Sequence, residues 1–407
     1  MGREIGYEAM ATAKSTQAQM TRDELLERTR TLVPFLAEKA EETERNRTML
    51  PEVHERLTEA GLFRIMQTPH HGGYGLDLTT HLAVAAELAR GCGSTAWIQS
   101  LIGNQNMAVS WYTPEAQEEV RATEAPLFAG LVMGPSEIAE RVDGGVRLAG
   151  RWPYVSGVDQ ATWLMLSARD PNDHARVLTC LLLRADGHID DDWFAMGLRG
   201  TGSKSVLLDN LFVPDHRVLC FREAERNGAP GDAVNPGSFY VGAPSSIIFS
   251  MVVAAPAIGL AACAIDAYKD RLKSRWSARM PSAQTEWPAS QARLGRAKAR
   301  WVLARESLLR NADTLTAQIE QGEIVTVEQR VFYRMAVVEL VSQCTDIVYD
   351  LFCDAGTGVT LDGSVLQRAF RDIHTLRSHF MIMPDIAAEN TGRVQLDMKP
   401  KPPYAGG

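Results

Sequence analysis

Apolar positions recur at helical spacing through the first third of the chain. Leu25, Leu26, Leu32, Val33, Leu36 and Ala40 are separated by Glu, Arg and Lys, which predicts an amphipathic helix. Pro51 opens a short second helix carrying Val53, Leu57 and Ala60, and Gly61 supplies its stop. The run Pro69-His70-His71-Gly72-Gly73-Tyr74-Gly75 predicts a loop, since its glycines break a regular element. Helical spacing resumes over 79–90 and 94–112, and Pro114 begins one more short helix.

From about residue 126 the pattern shortens and becomes β-branched or alternating. Strands are predicted over 146–152, 163–168, 177–183 and 205–213, divided by turn signals such as Asp143-Gly144-Gly145 and Asp170-Pro171-Asn172-Asp173. After Pro236-Gly237 long helical patterns return over 245–278, 286–321, 325–353 and 364–385. Strands bracketed by helices predict an α+β fold. The expected division is a flexible N-terminus (1–21), an N-terminal helical domain (22–125), a central antiparallel β domain (126–237), a C-terminal four-helix bundle (238–395) and a tail (396–407).

Composition narrows the class. The 407 residues are 45% hydrophobic and 23% charged, as in a globular chain with a sizeable core. Lys and Arg number 42 against 50 Asp and Glu, a net charge of −8 with no basic stripe, which argues against a nucleic-acid partner. The six cysteines form no CxxC pair and match no zinc spacing, so no metal site is expected, and Cys92, Cys263 and Cys344 read as buried thiols in a reducing compartment. The N-terminal residues lack the apolar run of a signal peptide, and no stretch is expected to reach the length and apolarity of a membrane span. A cytoplasmic protein follows as the expectation.

Several catalytic signatures are missing. No GxGxxG opens a helix after a strand, and there is no GxxxxGK[ST], HExxH or GxSxG. A nicotinamide site within this chain is therefore not expected. Gly200-Thr201-Gly202-Ser203 is Gly-rich but precedes a strand, and is weak as a phosphate cradle. Trp152-Pro153-Tyr154-Val155-Ser156-Gly157 ends a strand with two aromatics, a hydroxyl and a glycine. It reads either as a platform for a flat ring, with Ser156 bonding its polar edge, or as a turn with core aromatics. Arg371-Asp372-Ile373-His374 with His379 offers two imidazoles for proton transfer near neutral pH, or a capped helix with surface histidines. His70-His71 reads as a loop pair. Trp97 and Gln105, on one predicted helix, either look into a pocket or pack in the core.

Taken in order, these segments resemble a family. The 61–75 stretch resembles the loop after the second helix of acyl-CoA dehydrogenases. Cys92-Gly93-Ser94-Thr95-Ala96-Trp97, the 152–157 segment, Met196-Gly197-Leu198-Arg199-Gly200-Thr201-Gly202-Ser203 and Arg371-Asp372-Ile373-His374 resemble the two-component flavin-dependent monooxygenases of that fold, over about residues 22–395. The resemblance implies an oxygenase component that uses reduced flavin and O2, through a C4a-hydroperoxyflavin, to hydroxylate an aromatic or polycyclic substrate. It implies reduced FMN, with FADH2 as the alternative, delivered by a separate NAD(P)H:flavin reductase to a homotetramer. By the same resemblance His379 is the catalytic histidine, and Ser156 meets flavin N5. Trp97, Val155, Arg275, Thr357 and Gly358 line the cofactor, the last two from a neighbouring subunit. His374 joins the catalytic set, and Gln105 and Phe380 face substrate. Many acyl-CoA dehydrogenases carry a glutamate base nine residues after the motif arginine; here that position is Phe380, which cannot remove a proton. Several phenol hydroxylases of this group carry a histidine where this chain has Gln105, and an amide cannot ionise. N- or S-oxygenation, acyl-CoA dehydrogenation and a flavin-free scaffold remain as alternatives.

Overall fold

The computed structural model describes residues 20–123, 128–236, 238, 240–274 and 283–401. The N-terminal region comprises α1 (Arg22–Asn46), α2 (Pro51–Glu59), α3 (Leu78–Leu88), α4 (Gly93–Ala108) and α5 (Pro114–Arg121). Reciprocal bonds start α1: the Thr21 N–H donates to Glu24 Oε2 at 2.9 Å, and the Glu24 N–H donates to Thr21 Oγ1 at 3.3 Å. Gly61 follows α2 at φ 77°, the left-handed stop that its position predicts. The 69–75 loop contains one 3₁₀ turn, Pro69–His71. Every residue of α4 is buried, which is why its sequence shows little amphipathic contrast.

Eight strands form two four-stranded sheets: β1 (Phe128–Ile138), β2 (Glu140–Val142), β3 (Gly145–Val155), β4 (Trp163–Arg169), β5 (Val177–Leu183), β6 (His188–Asp190), β7 (Lys204–Pro214) and β8 (Val218–Leu219). Their orders are β1-β4-β5-β8 and β2-β3-β7-β6. Leu164, Leu166, Leu178 and Leu182 of one sheet pack against Val146, Leu148, Trp152 and Val206 of the other, making a sandwich core. The four predicted strands are present. The antiparallel expectation fails at one pair, because β1 runs parallel to β4 (Phe128 opposite Trp163). A parallel pair needs a crossover, and here the chain passes through β2 and β3 of the second sheet before returning as β4.

The C-terminal region holds α6 (Phe221–Asn227), α7 (Ser245–Ser274), α8 (Pro288–Glu320), α9 (Val327–Asp354), α10 (Val365–Arg377) and α11 (Pro384–Gln395). The pattern read as one helix over 364–385 is two. Helix α10 stops at Arg377, and Met383, forced out of the helical region by Pro384, adopts φ −108°, ψ 99°. His379 and Phe380 therefore sit on a turn, not a helix face. The expectation that no stretch matches a membrane span also needs correction. Helix α7 has the length and apolar composition to do so, yet 89% of its most apolar window is buried in the protein. Its apolar surface goes into a single core shared by α1, α3, α4 and the bundle, separate from the sandwich core. All six cysteines are free thiols, four of them buried; Cys263 is half-buried and Cys353 exposed.

Candidate active site

Three elements meet where the sandwich touches the two helical regions. Trp97 comes from α4, Ser156 from the end of β3, and His379 from the turn between α10 and α11. The Trp97 Nε1–H donates to Ser156 Oγ at 3.1 Å. The Trp97 and His379 rings meet edge to face, centroids 5.5 Å apart. A register shift between Trp152 and Val155 swings the end of β3 outward. There Tyr154 takes φ 66° and is 66% exposed, while Gly157 takes φ 75° and donates its N–H to Thr201 O at 2.9 Å. Of the two aromatics in this segment only Tyr154 faces outward. Trp152 is buried in the sandwich and donates to Ser167 O at 2.9 Å.

Behind Ser156 lies a chain of hydroxyls. Ser156 Oγ is 2.7 Å from Ser203 Oγ, which is 2.6 Å from Thr201 Oγ1; Thr201 Oγ1 donates to Leu198 O at 2.7 Å. Each hydroxyl has one proton. Thr201 gives its proton to a carbonyl, so Ser203 must donate to Thr201, and Ser156 must donate to Ser203. Ser156 thus accepts from Trp97, points its proton inward, and keeps one lone pair. The Arg371-Asp372 pair anchors this loop. Asp372 Oδ1 accepts from the Leu198 N–H at 2.6 Å, and burial raises its carboxyl to about 6. Arg371 donates to Met196 O at 3.1 Å and pairs with Glu44. A Cβ on Gly197 would lie 2.1 Å from Arg371 O, so only glycine lets α10 approach so closely.

His379 Nδ1 accepts the Met381 N–H at 3.2 Å. Burial, helped by the nearby Arg334, lowers its imidazole to about 3, so the ring is neutral at ordinary pH. With Nδ1 occupied as acceptor, the single ring proton resides on Nε2. Phe249 of α7 and Phe380 flank the ring at centroid distances of 6.1 and 4.6 Å. Both also line a cavity of 430 Å³, together with Asn104, Met107, Ala108 and Met381.

The other sequence-predicted residues are dispersed. The Val155 side chain is buried in the sandwich core and has only its backbone to offer a ligand. Gln105 donates to Gly130 O at 2.7 Å, its Oε1 has no partner, and it does not line the 430 Å³ cavity. Its eight-residue offset from Trp97 turns it about 80° around α4, whereas Asn104, seven residues on, returns to within about 20° of the Trp97 face. His374 packs edge to face on Phe370 at 4.2 Å in the bundle, and the break in the helix separates its surroundings from those of His379. Thr357 and Gly358 lie in a 3₁₀ turn (Thr357–Thr360) near Arg271, which itself donates to Ala355 O at 2.5 Å. Along α7, Phe249 and Arg271 are separated by roughly 33 Å at 1.5 Å per residue, so this turn lies far from Ser156 within one chain. Arg275 lies outside the described residues. Asn104 belongs to no sequence motif, whereas Thr201 and Ser203 lie in the family-like 196–203 segment, weak as a phosphate cradle, where their hydroxyl spacing is the available signal.

Known proteins share this architecture. Residues 15–122 match the acyl-CoA dehydrogenase N-terminal domain and residues 251–384 the C-terminal domain. The chain is 32% identical to the oxygenase subunit HsaA of a flavin-dependent monooxygenase from Rhodococcus jostii (strain RHA1), over 89% of this chain and 95% of that one. It is 30% identical to the oxygenase component of an FADH2-dependent resorcinol hydroxylase from Rhizobium sp. (strain MTP-10005), over 84% and 87%. The crystal structure of 3-HSA hydroxylase from Rhodococcus sp. RHA1 superposes with a TM-score of 0.88 at 29% identity, covering 95% of this chain and all of that one. The chain belongs to the oxygenase subunits of flavin-dependent monooxygenases, enzymes built on the acyl-CoA dehydrogenase fold.

Proposed function

We propose that this enzyme takes reduced flavin from a separate NAD(P)H:flavin reductase and uses it with O2 to hydroxylate an aromatic or polycyclic substrate. The observation that carries this reading is the meeting of Trp97, Ser156 and His379 beside a mostly apolar cavity. These residues fit a flavin. Tyr154 and Trp193 offer aromatic surface next to Ser156, their centroids 6.3 Å apart, and Ser156 keeps one unused lone pair. Reduced flavin carries a proton on N5 and therefore needs an acceptor there; the inward-pointing Ser156 hydroxyl is one. Bound reduced flavin would supply the electrons that activate O2. Both FMN, favoured from the sequence, and FAD fit, and the resorcinol hydroxylase is named for FADH2.

His379 acts in this scheme as a donor rather than a base. Its Nε2–H is the only ring proton, and it is available to hold or deliver a proton to oxygen. The Met381 N–H on Nδ1 favours donation over abstraction. Phe380, 49% exposed on the cavity, provides a wall where a dehydrogenase would need a carboxylate. The distance along α7 supports the rest of the binding set. Thr357 and Gly358 would serve the flavin of another copy, and with Arg275 they complete the site in a homotetramer. Exposed Leu303 on α8 and Phe332 and Tyr349 on α9 support such packing. The free cysteines suit a cytoplasmic enzyme.

The test supplies NADH, a flavin reductase, FMN or FAD, and ¹⁸O2, with resorcinol and 4-hydroxyphenylacetate as probes. One ¹⁸O atom per hydroxylated product is expected. Hydrogen peroxide alone, at the rate of free reduced flavin and with every probe, would reject the proposal.

A further inference from the structure

Asn104 is the most conspicuous unpartnered group near the site. Its side chain is 3% exposed, its Oδ1 has no hydrogen-bond partner, and its Nδ2 makes no bond to any described residue. Other buried amides on the same helix are at least half satisfied. Gln99 donates to Leu62 O at 2.8 Å, Gln105 to Gly130 O at 2.7 Å, and Asn106 to Phe63 O at 2.7 Å. A buried amide oxygen left without a partner is costly and uncommon in a folded protein.

Its surroundings explain the vacancy in its bonding. Asn104 lines the 430 Å³ cavity, a volume within the range of small-molecule sites. Its apolar lining includes Met107, Ala108, Phe249, Phe380 and Met381, and polar and charged residues such as Ser167, Arg176 and Glu223 line it too. Phe249 and Phe380 are the residues that flank His379. Asn104 also lies two helical turns from Trp97 on nearly the same face of α4. The amide thus shares a cavity with the two aromatic rings that flank the proposed proton donor.

We infer that Asn104 is a substrate-recognition residue of this cavity, and that it holds a substrate group able both to donate and to accept a hydrogen bond, of which a hydroxyl is the simplest. An amide can meet such a hydroxyl at both atoms, accepting its proton at Oδ1 and donating from Nδ2 to its oxygen. The aromatic and thioether walls take the ring faces. This inference rests on the proposed oxygenase reading for its purpose, although its binding test requires no flavin.

The experiment compares 2-naphthol with naphthalene, which lacks only the hydroxyl, by equilibrium binding to the full-length protein and to Asn104→Leu. Wild type is expected to prefer 2-naphthol by about tenfold or more, the discrimination of a site built to bond a hydroxyl. Asn104→Leu should bring the two affinities within about twofold of each other, mainly through weaker naphthol binding. The same variant should melt no lower than wild type, because the amide it removes bonds to no described residue. Equal binding of the two probes by wild type, binding of neither, or an unchanged preference in a folded Asn104→Leu would overturn the assignment. Reduced-flavin binding, measured in parallel, separates this failure from failure of the oxygenase reading. Loss of naphthol selectivity with flavin binding intact supports Asn104, whereas wild type that selects naphthol but binds no flavin rejects only the proposed function.

Discussion

Replacing Ser203 by Ala cuts the hydroxyl chain behind Ser156 at its middle. In the native arrangement Ser156 donates to Ser203 at 2.7 Å, because Ser203 must donate to Thr201 at 2.6 Å, and Thr201 to Leu198 O. Alanine removes both bonds of Ser203. Thr201 keeps its carbonyl acceptor, but the Ser156 proton loses its partner in a buried position. Leaving a buried donor unpaired costs about 1–3 kcal/mol, so the free variant should be less stable by about that much. The freed proton can then turn toward a ligand. Oxidised flavin presents a lone pair at N5 and reduced flavin a proton, so the variant should gain affinity for the oxidised form relative to the reduced form. A shift of about 1 to 1.5 kcal/mol, the net worth of one hydrogen bond, is roughly a 5- to 12-fold change in the ratio of dissociation constants. Thr201→Val should act in the same direction without touching Ser203, since Ser203 could then donate to Ser156 and reverse the chain. The assay is fluorescence titration with oxidised FMN and FAD, and anaerobic titration with their reduced forms. An unchanged ratio in both variants, with both folded, would refute the polarity assigned to the chain.

Other outcomes follow from the same geometry. His379→Ala should lower hydroxylated product per flavin oxidised by about 10²-fold, the scale of general acid catalysis, with a smaller effect on flavin binding; unchanged yield would remove its proton-donor role. His81 is buried, donates from Nε2 to Ser100 O at 2.9 Å, and is lowered by burial to about 4. The unfolded chain therefore binds more protons than the folded one between pH 6.5 and about 4. Its neutral form contributes stability that is complete above 6.5 and is lost as pH falls through that window, by up to roughly 3 kcal/mol. Melting temperature against pH should show the fall, and His81→Gln should flatten it; parallel curves would contradict the assignment. Gly197→Ala would set a Cβ 2.1 Å from Arg371 O. It should lower the melting point and weaken flavin binding together by displacing the 196–203 loop, and a variant with wild-type values for both would exclude that coupling.

Most of the helices and four of the five longer strands are legible because each carries a strong period or a clear cap, as Thr21 and Glu24 do for α1; the short α6 carries neither, and α10 and α11 share one apparent period. The strands that were missed are two or three residues long, or, like β1, interrupted by Gly130, Gly134 and Pro135, which mute the β signal. The apolar α7 could have been taken from its pattern for either a core helix or a membrane span, and only its neighbours decide. At the candidate site, motif resemblance points to Trp97, Ser156 and His379, which the fold brings together. The position of His379 on a turn is not legible, because helical spacing continues past Arg377 and Pro384 acts backward on Met383. Asn104 was overlooked because an amide in a buried helix has no sequence pattern that separates a satisfied group from an orphaned one. Ser203 lies in the family-like 196–203 segment, but its bond to Ser156 joins two separate loops and is a tertiary property.

The central claim, oxygen activation rather than acyl-CoA oxidation at the Trp97–Ser156–His379 site, is tested most directly by rapid mixing. Protein loaded anaerobically with reduced FMN or FAD is mixed with O2 while absorbance is followed, and protein with oxidised flavin is mixed with octanoyl-CoA. The account predicts a transient absorbing species distinct from both reduced and oxidised flavin in the first experiment, and no bleaching in the second. A single-step return to oxidised flavin, together with bleaching by octanoyl-CoA, would contradict it.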